Sequence, residues 1–77
     1  MSPKAPRVTA SQAIRVVEEV GFVFARQSGS HAIYRNSAGM RVTVPCHGSR
    51  ILHPKVLASI LTDAGLSVEQ FVQLLSD

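Results

Sequence analysis

The chain's 77 residues are enough for one compact domain and too few for a second independent core. Its apolar runs are broken by Gly, charge or Pro well short of a bilayer's width, which excludes a spanning segment, and its single cysteine, Cys46, excludes an intramolecular disulfide framework. Eight Lys plus Arg against five Asp plus Glu give a formal net charge of +3, a balance that suits an anionic partner such as nucleic acid or an acidic protein.

The first residues, Met1-Ser2-Pro3-Lys4-Ala5-Pro6-Arg7, are basic and proline-bearing. They lead into a polar, helix-like segment instead of an apolar core with a cleavage site, so a cytoplasmic protein with a flexible arm over residues 1–8 is expected, followed by one domain over 9–77. Thr9 and Gln12 have capping-box spacing. Ala13, Ile14, Val17 and Val20 recur at helical spacing up to Gly21, which predicts a first helix over about Ala10 to Val20.

From Phe22 the composition turns β-rich. Strands are predicted over Phe22 to Arg26, His31 to Arg35, and Met40 to Val44, with turns at Gln27-Ser28-Gly29-Ser30 and Asn36-Ser37-Ala38-Gly39. Pro45 ends the third strand, and Cys46 to His53 forms a loop before Pro54, a favourable first helical residue. Val56, Leu57, Ile60 and Leu61 lay a stripe along a second helix that stops at Ala64-Gly65. Ser67 with Gln70 opens a short third helix whose apolar face is Phe71, Leu74 and Leu75. The expected fold is α+β in the order α-β-β-β-α-α, with helices on one face of an antiparallel sheet and the other face free for a ligand.

Chemistry-bearing residues fall on that free face. Alternation separates Ala32 and Tyr34 from His31, Ile33 and Arg35, and the Val42/Val44 side of the third strand is the core side. If Tyr34 lies with that core, His31, Arg35 and Arg41 share the exposed face, with Arg26 and Lys55 near its rim. A histidine ringed by cations suits a phosphodiester, since imidazole titrates near neutrality and can take or give the protons that RNA cleavage moves. Flanking Gly29 and Ser30 let the backbone approach a phosphate closely. Taken alone, Ser28-Gly29-Ser30-His31 reads as an ordinary hairpin turn with a surface histidine, because a lone Gly-Ser-His is common by chance. His47, between Pro45 and Gly48, can contact substrate, assist acid/base chemistry, or bond nearby backbone. Cys46, His47 and His53 fit no standard four-ligand metal spacing, so neither a metal nor a cofactor is expected. Arg7 and Arg50 are surface charges that can also track a polyanion backbone. Cys46 is expected as a half-buried strand-end residue.

The run Gly21-Phe22, Arg26-Gln27-Ser28-Gly29-Ser30-His31, Tyr34-Arg35, Arg41-Val42-Thr43-Val44-Pro45, His47-Gly48 and Ile60-Leu61-Thr62-Asp63-Ala64-Gly65-Leu66-Ser67 resembles the HicA family of messenger-RNA interferase toxins, from Thr9 to Leu75. The resemblance implies a double-stranded-RNA-binding-domain-like fold, metal-independent RNA cleavage, a catalytic histidine at His31, and neutralisation by a HicB-type antitoxin over the active face. RNA contacts are then expected from Arg26, Ser28, Gly29, Ser30, Arg35, Arg41, His47 and Lys55. Ser28 stands where the family usually carries a basic residue, and Pro54-Lys55-Val56-Leu57-Ala58 lacks the Gly-Thr pair common after this proline. The alternative is a non-catalytic RNA-binding module on the same face; a third reading is a pure protein-interaction domain that docks an acidic partner through Ile51-Leu52.

Overall fold

In the computed structural model, which describes residues 5–77, the chain runs α1 (Ala10–Glu19), β1 (Val23–Ser28), β2 (His31–Arg35), β3 (Arg41–Pro45), α2 (Pro54–Ala64) and α3 (Val68–Ser76). This is the expected α+β order. The strands form one antiparallel sheet in the order β1-β2-β3.

Local chemistry explains where the helices begin and end. Thr9 Oγ1 accepts from the Gln12 amide at 3.3 Å while Gln12 Oε1 accepts from the Thr9 amide at 2.9 Å. Ser67 and Gln70 repeat the reciprocal pair at α3, at 3.0 and 2.8 Å. Each cap contributes about 1 kcal/mol by satisfying amides that a helix start leaves orphaned. At the end of α1, Gly21 takes φ +100°, so the Phe22 amide can turn back to the Val17 carbonyl at 3.0 Å and the Gly21 amide to Glu18 at 3.1 Å. Phe22 is thereby directed into the core instead of starting a strand. That accounts for β1 beginning at Val23 and not at Phe22 as the composition predicts.

The inner sheet face contributes Ala32, Tyr34, Val42 and Val44 to the core, which continues through Val16 and Val17 of α1, Leu57, Ile60 and Leu61 of α2, and Phe71 of α3. The centre of the α1 stripe is Ala13, Val16 and Val17, while Ile14 and Val20 lie at its half-buried margin. Helix α2 packs on β3, and α1 packs on α3 and on β3. Strand β1 lies beyond this layer. All six of its residues are exposed, Val23 and Phe24 by 66 % and 54 %, and Phe24 is supported by an edge-to-face contact with the Tyr34 ring at 5.7 Å.

Of the arm expected over residues 1–8, positions 1–4 fall outside the described residues. Of the remainder, Arg7 is exposed while Val8 is packed against the body: it is 1 % exposed, its carbonyl accepts from the Leu52 amide at 2.8 Å, and Thr9 bridges Ile51 in antiparallel fashion. The packed body therefore includes Val8 and is clamped to the loop that precedes α2.

Candidate active site

His31 is the first residue of the central strand, and its backbone is held from both sides. It lies opposite Ser28 on β1 and Pro45 on β3. The preceding turn is tighter than the four residues the sequence suggests, because Gln27 and Ser28 pair with Ala32 and His31 and leave only Gly29-Ser30 as the loop. Gly29 has φ +58° and, among the described residues, no non-glycine residue, Ser30 included, has positive φ, which is the sign pattern of a type II′ hairpin, compatible with strand twist. Gln27 Nε2 donates to the Gly29 carbonyl at 3.0 Å, and the Cys46 amide donates to the Ser30 carbonyl at 2.6 Å. The imidazole of His31 is exposed above this pinned backbone.

The outer sheet face carries the cations expected there, and Arg26 with them. Arg35 lies directly opposite Arg41, and Arg26 opposite Ile33, whose other neighbour is Thr43. Arg26 reaches this face because of a bulge at Ala25. The register shifts between Phe24 and Arg26, so Phe24 stays on the inner side with Tyr34 while Arg26 turns outward with Ile33. Ile33 is buried on this outer face and forms an apolar floor between polar neighbours. Like charges directly opposite across strands repel; the Arg35/Arg41 pair is therefore an arrangement that a bound anion would relieve.

Beside His31 opens a cleft of about 380 Å³ lined by His31, His47, Arg50 and His53, with Pro45, Ile51, Leu52 and Val56 completing its walls. It forms because β3 ends beside His31 and the following loop folds back. The Arg50 amide closes a turn onto the His47 carbonyl at 3.3 Å, residues 51 and 52 are pinned to Thr9 and Val8, and His53 caps α2. In that cap His53 Nδ1 accepts from the Lys55 amide at 3.1 Å. A second cleft of about 260 Å³, with Arg7 on its far wall, shares Ile51, Leu52 and His53 with the first.

His31 and His47, both expected as site residues, thus face one cleft. Arg26, Arg35 and Arg41 lie along the adjoining sheet face, and Ser28, Gly29 and Ser30 form the turn at its edge. Lys55 is exposed on the first turn of α2 and does not line the cleft. Arg50 and His53 do, although the sequence reading gave Arg50 a peripheral place and considered His53 only as a metal ligand. Among the described residues, no three His, Cys, Asp or Glu side chains gather closely enough to share a metal ion.

One signal in the sequence could have marked this half of the molecule. Between Glu19 and Asp63 the chain has no Asp or Glu, and that stretch carries Arg26, Arg35, Arg41, Arg50, Lys55 and all three histidines. The net charge averages over this segregation and hides it. On the inner face, burial, followed by the nearby Glu18 and Cys46, pushes the Tyr34 hydroxyl above its ordinary pKa. Cys46 is half-buried at the end of β3 with its thiol donating to the Val44 carbonyl at 3.5 Å, as the sequence reading expects.

A comparison with curated proteins gives no match. Among the described residues, no helix is long and apolar enough to cross a membrane. The family model described as the HicA toxin of bacterial toxin–antitoxin systems matches residues 10–66, a span that covers α1, the whole sheet, the cleft loop and α2. The chain belongs to the HicA toxin family, as the toxin component of a bacterial toxin–antitoxin pair with a cognate antitoxin as its partner.

Proposed function

We propose that this toxin is an endoribonuclease that cleaves messenger RNA by general acid/base catalysis centred on His31. The observation that carries the reading is one cleft lined by His31, His47 and Arg50 at the end of a sheet face bearing Arg26, Arg35 and Arg41.

The chemistry follows from these side chains. One imidazole removes the proton of a ribose 2′-hydroxyl, the 2′-oxygen attacks the adjacent phosphorus, the bond from phosphorus to the 5′-oxygen breaks, and a second donor protonates that oxygen. The products are a 2′,3′-cyclic phosphate and a 5′-hydroxyl end. His31 carries one transfer and His47 serves as its counterpart, so the reaction requires neither metal nor cofactor. Arg50 balances charge at the phosphate. Arg26, Arg35 and Arg41 hold the backbone of the same strand, with the Ser28-Gly29-Ser30 turn and Lys55 at the margin. A HicB-type antitoxin neutralises the toxin by covering this face.

The full-length chain should cleave RNA, and His31→Ala should slow it by about 10²–10⁴-fold, the usual contribution of a positioned acid or base, without changing the melting temperature. A substrate carrying a 2′-deoxy residue at the scissile position should resist cleavage. RNA binding without turnover by the parent chain would replace this reading with that of a non-catalytic RNA-binding module.

A further inference from the structure

His53 enters the same cleft from the start of α2, and its ring has a fixed tautomer. Its Nδ1 accepts the Lys55 amide proton at 3.1 Å, so this nitrogen carries no hydrogen and the ring proton resides on Nε2. Pro54 at the first helical position has no amide of its own to compete for the cap. The backbone that sets the ring is itself anchored, since the Val56 and Leu57 amides donate to the His53 carbonyl at 2.9 and 3.0 Å and Leu52 is clamped to Val8 at 2.8 Å. The ring lines the cleft with His31, His47 and Arg50, and it also lines the second cleft. It stands at the junction of the two.

We propose that His53 is a further catalytic residue of this toxin, donating its Nε2–H to a non-bridging phosphoryl oxygen of the scissile phosphodiester. This inference rests on the endoribonuclease reading above. Its role differs from those of His31 and His47. A ring whose Nδ1 is engaged as an acceptor, and which keeps that bond, neither removes the 2′-hydroxyl proton nor protonates the departing 5′-oxygen; it supplies a fixed donor at Nε2. As the 2′-oxygen adds to phosphorus, negative charge builds on the non-bridging oxygens, and a donor held in place beforehand stabilises that charge without reorganising. No proton is transferred to or from His53 over the cycle, so the balance of bonds and protons in the cleavage step is unchanged.

The experiment separates the donor from the cap. Ser and Asn cap helices well but are too short to extend a donor as far as the imidazole Nε2. His53→Ser and His53→Asn should therefore keep the melting temperature of the parent, while kcat for cleavage falls roughly 10- to 100-fold, comparable to loss of one preorganised donor, with KM little changed. A substrate with sulfur in place of one non-bridging oxygen should slow the parent. That penalty should shrink in the two variants, because sulfur is the weaker acceptor and the donor that senses it is gone; a merely structural role would leave it intact. If both variants are folded and cleave as fast as the parent while His31→Ala does not, the assignment to His53 is overturned and the endoribonuclease reading stands. If the parent itself does not cleave RNA, both fall together.

Discussion

The helical layer and the outer half of the molecule are built to different rules. The layer of α1, α2 and α3 carries Glu18, Glu19, Asp63 and Glu69, opens α1 and α3 with reciprocal caps, and buries Val16, Val17, Leu57, Ile60, Leu61 and Phe71 in the core. The outer sheet face and the cleft loop carry arginines and histidines with no carboxylate, an exposed edge strand, and two arginines directly opposite one another. The first region gains stability from burial. The second holds unbalanced positive charge where an anion can reach it, and relies on the first to keep it in place. Natural proteins break local rules of good packing and charge pairing most often at sites of function; here the breaches are confined to one half.

This division can be broken or sharpened by substitution. His31→Ala gives the largest expected effect on function and none on stability, because the side chain is exposed; a drop in melting temperature comparable to that of a core variant would dissolve the distinction. Phe71→Ala should do the reverse. Phe71 is fully buried in α3, beyond the matched family segment, and its truncation should cost about 3–5 kcal/mol in denaturant unfolding, while RNA affinity per folded molecule stays unchanged.

Smaller effects probe the arginine pair. Arg35→Gln or Arg41→Gln should each reduce the salt dependence of RNA binding, lowering the slope of log affinity against log salt by about 0.7 for a single strand. Folding stability should hold or rise slightly as the facing repulsion is removed. A loss of stability from either change would mean that the two arginines support the fold. The smallest expected effect concerns the boundary between the regions. Tyr34 titrates above 10.0 in the folded state because of its burial, so between that value and its folded pKa the native state binds more protons than the unfolded chain, and stability falls as pH rises through this window. Alkaline unfolding monitored by circular dichroism should show that slope for the parent, and it should flatten for Tyr34→Phe.

Much of the stable half was legible in sequence because its signals are short-range. A cap is read from Thr9 and Gln12 or from Ser67 and Gln70, three residues apart, and a helix stop from Gly21 or Gly65; each depends on groups within one turn. Alternation in β2 likewise separated Ala32 and Tyr34 from His31 and Arg35, once the core side of β3 was known from Val42 and Val44. Composition marked β1 as a strand but placed it early, since the turn that draws Phe22 into the core depends on how α1 ends against its surroundings.

The candidate site was legible only in part. Sequence by itself determined the element order, the caps, the acid-free stretch, the Gly29 turn before His31, and the family to which the chain belongs. Tertiary structure decided that Arg26 shares a face with His31, because the Ala25 bulge reverses the parity of the strand and no periodicity can announce an inserted residue. It decided that Arg35 meets Arg41, which is a matter of register between strands. It also decided that the cleft takes Arg50 and His53 and leaves Lys55 outside, since the loop that carries them is positioned by contacts with Val8 and Thr9, more than forty residues earlier in the chain. Short-range chemistry is written in neighbouring residues; the convergence of His31, His47 and His53 on one cleft depends on long-range pairing that neighbouring residues do not encode.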